Sequence, residues 1–549
     1  VVAADDGIMP QTREHFDILK LLDVRHGLIV ITKIDLAEAD WVDLVEEDIR
    51  EMVRGSFLDK AAIFRVSAAN GRGVEALKKY LLALPLENRR DAVSTAFFRL
   101  PVDRVFSVKG YGTVVTGTIV SGTVKVGDTL ELMPSKKTVK VRGIQSHNVA
   151  VNTLSAGHRA AVNVQGVESG AIERGHFLAT PEAFTPGKIL SVFVSLLSVG
   201  KTLKYNSPVR VHLGTGEYLA RIRLIGRDVL SPNESGIAQL IFQQDVCAGF
   251  RDRFILRRYS PMRTIGGGVV LDVTARPLRK RDTAAAEFLK SRLSDSGADL
   301  IYKYIENSNR QLVHETELSR NFSMPVPEVR RYLKSLTEEK RIVAVNKYWI
   351  ASGVYDNLQN DCCEYLQSYH RDNPISPGIS KAALQNRLKI APDLLDILLI
   401  DLAAVGRVKI KGDRVSLPEF QVRLTAEQQE FIETVERELR VAGFSPPALK
   451  EIFQKSRLPE NEVQQLLSCL LDEGRIVQID RDKFVHADII RNGERQIRKF
   501  LSERKSATVS ELKGLLNTSR KWAIPLLNYY DKSGLTTRVG DLRELHQSD

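Results

Sequence analysis

Four times in its second half the sequence returns to one pattern: a Leu-rich helical stretch, a turn, a second helix, then a short basic hairpin. The hairpin segments contain Glu339-Lys340-Arg341-Ile342-Val343, Val405-Gly406-Arg407-Val408-Lys409, Glu473-Gly474-Arg475-Ile476-Val477 and Ser533-Gly534-Leu535-Thr536-Thr537. Arg341 to Arg407 is 66 residues, Arg407 to Arg475 is 68, and Gly474 to Gly534 is 60. Helices followed by a hairpin at that period predict four winged-helix units in series, at 277–352, 353–420, 421–488 and 489–549. Such units bind DNA, RNA or protein, so the repeat constrains the fold without naming a ligand.

Two other textures precede the repeats. Over 1–92, β-branched runs alternate with helical periodicity: strand Leu28 to Thr32, amphipathic helix Trp41 to Arg54, strand Ile63 to Val66. Strand, helix, strand implies parallel pairing and an α/β domain. From about Ser94 to Asp272 the chain reads as all-β, with short alternating strands such as Val209 to His212 and glycine turns every five to fifteen residues. That length accommodates two β-barrels, at 93–184 and 185–276, divided near Thr185-Pro186-Gly187.

Composition removes several classes. Hydrophobic residues at 43% and charged residues at 27% exclude global disorder and collagen-like repeats. No run reaches the roughly 18 uninterrupted apolar residues of a membrane span; Leu394 to Val405 is broken by Asp396 and Asp401. Cys247, Cys362, Cys363 and Cys469 form no C-x-x-C pair, which argues against a zinc site or a disulfide framework. A cytoplasmic, monomeric protein with no membrane partner and no metal-ligating cluster is expected. The net charge of +11 is unevenly placed: residues 1–91 hold 13 basic and 17 acidic side chains, residues 491–549 hold 12 and 7. A basic tail points to a polyanion, nucleic acid first.

Two motifs carry chemistry. Thr32-Lys33-Ile34-Asp35 directly follows a hydrophobic strand. In a nucleotide-binding α/β domain, a carboxylate placed as Asp35 accepts the two hydrogens of a guanine N1/N2 edge while the Lys33 stem lies along the base. Ser67-Ala68, at the end of the next strand, can bring a backbone N–H to the guanine carbonyl oxygen; a helix N-cap and turn is the plainer role. No G-x-x-x-x-G-K-S/T is present, so no glycine loop cradles phosphates. No catalytic nucleophile, acid–base dyad or metal site is visible in these residues.

Asp5-Asp6-Gly7-Ile8-Met9-Pro10-Gln11-Thr12-Arg13-Glu14-His15 resembles the strand end and helix start of translational GTPases, and with the two loops covers the back half of their GTPase domain. The family's usual Asn-Lys-x-Asp has Thr32 in place of Asn here, while the base-reading Asp35 is kept. The Asp-x-Pro-Gly-His element that holds the hydrolytic His in that family is absent. The chain, which opens without Met, is therefore expected to be an N-terminally truncated GTPase that does not hydrolyse GTP by itself. GTP is the implied cofactor, with Mg2+ held through the missing part. The implied fold is a partial α/β P-loop GTPase domain, two β-barrels and four tandem winged-helix (α+β) domains.

Phe98 to Thr118, Ser155-Ala156-Gly157-His158-Arg159, Val211-His212-Leu213-Gly214-Thr215 and Arg257 to Gly268 resemble the two barrels of the selenocysteine-specific elongation factors. With the four repeats, the resemblance extends over nearly the whole chain. It implies delivery of selenocysteyl-tRNA to the ribosome at UGA codons, directed by an mRNA hairpin. A selenol is more acidic than a thiol, so a pocket of guanidinium groups would prefer it to a neutral serine hydroxyl. Arg104 and Arg159, oriented by Asp103, match the family's selenocysteyl pocket; a structural ion pair is the alternative. In the last winged helix, Arg520 and Lys521 open the second helix, where phosphate is favoured, and Arg538 lies in the wing. Trp522 is placed either to stack on a base or to fill the core. A winged-helix regulator of duplex DNA would account for the repeats and basic tail, but leaves the guanine loops and barrels without a purpose.

Overall fold

The computed structural model describes residues 1–84, 96–108, 112–199, 202–295, 297–422, 424–447, 451–452 and 456–546. The expected boundary at 92 and the Lys109-Gly110-Tyr111 part of the barrel string lie outside the described residues. The chain divides into two compact units, Val1–Ser352 and Gly353–Asp549.

The first unit begins with β1 (Val2–Ala3), α1 (Pro10–Leu21), β2 (Ile29–Thr32), α2 (Ala39–Val53), β3 (Ile63–Arg65) and α3 (Val74–Ala83). The strands pair in parallel in the order β1-β2-β3, as the strand–helix–strand pattern requires. Helix α2 forms because Val42, Val45, Ile49 and Val53 recur on one face, and all four are buried. Proline at the first position of α1 suits a turn whose N–H would be unsatisfied in any case.

The next sheet is antiparallel, in the order Arg99–Pro101, Phe177–Ala179, Thr129–Met133, Lys137–Ser146, Arg159–Gln165, Gly112–Thr118, Arg104–Val108. A bridge between Arg99 and Ser121 returns the first edge strand to the chain leaving Gly112–Thr118, which closes the sheet around Leu100, Val115, Leu132 and Val162. Six further strands, Gly187–Leu196 through Thr264–Asp272, form a closed barrel about Val192, Val211, Ile222 and Leu240. The joint between the barrels is built on Arg99. Its guanidinium donates to Asp252 at 2.8 and 2.6 Å and lies over the rings of Phe177 and Phe184.

Helix Thr283–Ser291 seats Leu289 against Ile225, Ile237 and Leu271, so the stretch just after 277 packs on the barrel. The winged-helix elements proper start at Gly297–Asn307. A leading helix opens each of the four units, Gly297–Asn307, Ser352–Asp372, Ala426–Ala442 and Ala487–Arg504, ahead of the expected helix–helix–hairpin in the first, second and fourth. In three of them a short strand before the second helix (Val313–His314, Ile379–Ser380, Ser506–Thr508) pairs with the last strand of the hairpin, giving a three-stranded sheet.

Candidate functional site

The loops carrying Lys33, Asp35, Ser67 and Ala68 leave the carboxyl ends of the adjacent parallel strands β2 and β3. This is the end at which open α/β sheets bind ligands. Ile34 N–H reaches the Val66 carbonyl at 3.5 Å and Val66 N–H donates to Ile31 at 2.8 Å, which lays the loops side by side. Asp35 is exposed and has no side-chain partner among the described residues. Lys33 sits at φ +57 and bonds to Asp5 at 2.8 Å. That bond is the main cause holding the Asp5 carboxyl below its ordinary value and raising the Lys33 amine. Ser67 is fully buried; its amide donates to the Arg72 carbonyl at 2.9 Å, and Ala68 is exposed on the loop surface. Thr32, in the position of the family Asn, hydrogen-bonds Val2 from its hydroxyl at 3.4 Å, so it still ties neighbouring strands together.

On the first barrel, Arg159 stands opposite Thr118, and Arg104 opposite Thr116, on neighbouring strands. Asp103 accepts from Arg159 at 2.6 and 3.1 Å and from the Thr116 hydroxyl at 2.7 Å. Burial alone would raise the Asp103 carboxyl, but the bonds from Arg159 and Thr116 outweigh it and hold the group below its ordinary value. Arg104 is exposed beside this pair. Thr116 was not foreseen, because only strand register brings it to Asp103.

In the last winged helix, Arg520 and Lys521 are exposed at the start of helix Arg520–Lys532. Arg538 is exposed in the wing strand Thr536–Val539, its Nε donating to Gly540 at 3.0 Å. Trp522 is 7% exposed among Val485, Leu526, Leu527 and Tyr530, with the Lys483 amine 5.5 Å from its ring centre. Of the two roles open to it, burial favours the core. Sequence reading also missed the seat of α1 on the second barrel: Glu14 accepts from Arg257 at 2.7 Å and from the Thr264 hydroxyl at 2.6 Å.

A parallel α/β sheet, two antiparallel barrels and serial winged helices define a translational-GTPase architecture with a winged-helix extension. Domain models match in that order: Elongation factor Tu GTP binding domain at 1–86, Elongation factor Tu domain 2 at 112–179, and the beta-barrel domain of the selenocysteine-specific elongation factor at 191–277. Two elongation factor SelB winged-helix models follow at 363–417 and 499–545. The chain belongs to the selenocysteine-specific elongation factor family. It is 34% identical over 553 residues to the selenocysteine-specific elongation factor of Desulfomicrobium baculatum, covering 100% of this chain and 87% of that one. Identity to the Escherichia coli protein of the same name is 29% over 548 residues, covering 98% and 85%. A crystal structure of a bacterial selenocysteine-specific elongation factor superposes with a TM-score of 0.63 at 23% identity over 100% of this chain and 86% of that one, which supports the fold.

Proposed function

We propose that the chain acts in translation elongation: with GTP, it delivers selenocysteyl-tRNA to the ribosome at UGA codons, directed by an mRNA hairpin held by its C-terminal winged helices. End-to-end membership of the family carries this reading. The seven-part division drawn from the sequence is kept as the working domain map, with the winged-helix elements of its fourth part beginning at Gly297.

Asp35 is the reader of the guanine edge, Lys33 lies along the base, and Ser67-Ala68 supply the N–H for the guanine carbonyl. The Ile34 to Val66 contact supports this, since it keeps the loops adjacent, and the Asp35 carboxylate has no side-chain partner among the described residues. Phosphate transfer is not assigned to these 549 residues, which contain no P-loop motif and should not hydrolyse GTP alone. Among the described residues no group of three or more His, Cys, Asp or Glu could hold a metal ion, so Mg2+ is not assigned to any side chain here and no step is routed through it.

Asp103, Arg104 and Arg159 form the selenocysteyl pocket, with Asp103 orienting Arg159 and Arg104 offering the exposed charge. Arg520, Lys521 and Arg538 contact the hairpin backbone, and Trp522 supports the helix that presents them. A cytoplasmic monomer is the working form; no helix among the described residues is long and apolar enough to cross a membrane.

The test is an anisotropy titration of the chain with a hairpin from just downstream of an in-frame UGA, a scrambled hairpin and duplex DNA. Hairpin-selective binding lost in Arg520→Ala is expected, whereas preference for duplex DNA would favour the regulator.

A further inference from the structure

The four wings differ in how their cations are compensated. In the first, Arg341 bonds to Asp299 at 3.0 Å. In the third, Arg475 is bound by Glu436 and Glu473, and Lys483 by Asp480. In the fourth, Arg543 is buried against Asp531. Arg538 of that wing rests on the neutral Gly540 carbonyl, and the second wing gathers more such cations than the others. Its segment 407–414 holds Arg407, Lys409, Lys411 and Arg414, with Asp413 the one carboxylate of the segment, and the Arg414 guanidinium donates to the Gly378 carbonyl at 3.2 Å. Arg407 donates to the Asn360 side-chain oxygen at 3.1 Å and Lys409 to the Pro418 carbonyl at 2.8 Å, neutral acceptors that fix position and leave the charge. Lys411 is exposed, with no side-chain partner among the described residues.

Register concentrates these charges. Lys409 pairs with Ser416, Ile410 with Val415 and Lys411 with Arg414. Side chains alternate along a strand, so Lys409 and Lys411 share a face roughly 7 Å apart, with Arg414 directly across from Lys411. Two lysines at that spacing, one held by a neutral carbonyl and one exposed, suit an anion with repeating charge. The third helix of this unit, Pro392–Ala404, carries Asp393, Asp401 and Asp396, the last paired with Lys381 at 3.4 Å, and no Lys or Arg. That helix offers phosphate no cation, so it is poorly suited to the major groove of B-DNA, where winged helices place such a helix. A-form RNA closes its major groove to helices and is met along its backbone instead.

We propose that the wing of the second winged helix, Lys409–Lys411 with Arg414–Ser416, binds the phosphate backbone of duplex RNA independently of the last winged helix. The inference rests on the reading of this chain as an RNA-handling factor and adds a second contact to it.

The probe is a 20-base-pair RNA duplex of arbitrary sequence, titrated against the full chain by anisotropy across a salt series. The Lys409→Ala/Lys411→Ala variant should lower the slope of log affinity against log salt by roughly 1.4–1.8, and weaken binding at low salt by about tenfold or more, since each phosphate contact releases close to one counterion. Lys409→Arg/Lys411→Arg should retain both, and thermal melts should show both variants folded. An unmoved slope in the folded alanine variant overturns the proposal, as does tighter binding to a DNA duplex of equal length, or dependence on this wing for phosphatidylserine vesicles in place of RNA. Failure of hairpin selectivity through Arg520 with a wing-dependent slope intact would sink the delivery reading alone.

Discussion

Arg159 and Asp103 meet as a two-point ion pair, Nη1 to Oδ2 at 2.6 Å and Nη2 to Oδ1 at 3.1 Å. The Thr116 hydroxyl holds the same carboxylate from the next strand at 2.7 Å. The guanidinium plane is therefore set by two anchored oxygens while more than half of its side chain stays exposed. This anchored, half-exposed guanidinium is the geometry on which the proposed selenocysteyl pocket rests.

Arg159→Lys keeps the charge and loses the fork. It should weaken selenocysteyl-tRNA binding by roughly tenfold, the scale of one charge-assisted hydrogen bond, with seryl-tRNA nearly unchanged. Protection of each aminoacyl ester from hydrolysis measures this. Equal loss for both would make the pair purely structural. The melting curve should barely move, because exposed pairs contribute about 0–1 kcal/mol.

Glu14 joins α1 to the second barrel. The Thr264 hydroxyl, and then Arg257, hold its carboxyl below the ordinary 4.5 despite the opposing effect of burial. A depressed carboxyl contributes stability that is fully present above its unfolded value and is lost as pH falls through the folded one. Urea midpoints of the first unit should therefore fall on acidification below about pH 4.5. In Glu14→Gln that part of the decline should vanish. A variant with the same acid slope as the parent would assign the effect to other carboxylates.

Trp522→Ala and Arg520→Ala, two positions apart, should separate stability from binding. Removing the buried ring should cost about 3–5 kcal/mol in chemical denaturation. Removing the exposed guanidinium should change stability by less than about 0.5 kcal/mol while abolishing hairpin selectivity. If Trp522→Ala proved as stable as the parent yet failed to bind RNA, the base-stacking role would be restored.

Cys247 and Cys362 are buried, and burial pushes both thiols up to about 12. The thiolate is the nucleophile, so iodoacetamide at mildly alkaline pH should leave these two unmodified in the native chain and label them after denaturation. Peptide mass mapping reads the outcome. Rapid native labelling of Cys247 would mean that the joint between the barrels opens in solution.

Much of the architecture was legible because its signals are local. A run such as Ile29–Thr32 can satisfy its backbone only within a sheet, and the spacing of Val42, Val45, Ile49 and Val53 can bury one face only as a helix. The leading helices of the winged units were harder to see. Ser352–Asp372 is polar over much of its length and buries Tyr355, Leu358, Cys362 and Leu366 on a narrow stripe. The two-residue strands Val313–His314 and Ile379–Ser380 have no local signature, since a strand that short exists only through the partner it meets.

The loop motifs after β2 and β3, the barrel strings and the repeat period were determined by the sequence itself, because each depends on residues within a turn or two of one another. Tertiary structure decided which charges remain available. Arg475 and Arg407 occupy equivalent places in their repeats, yet Arg475 is met by Glu436 from 39 residues away and Arg407 by the neutral Asn360 from 47. Compensation of a charge depends on what lies within a few ångströms in space, and strand register and helix packing set that distance.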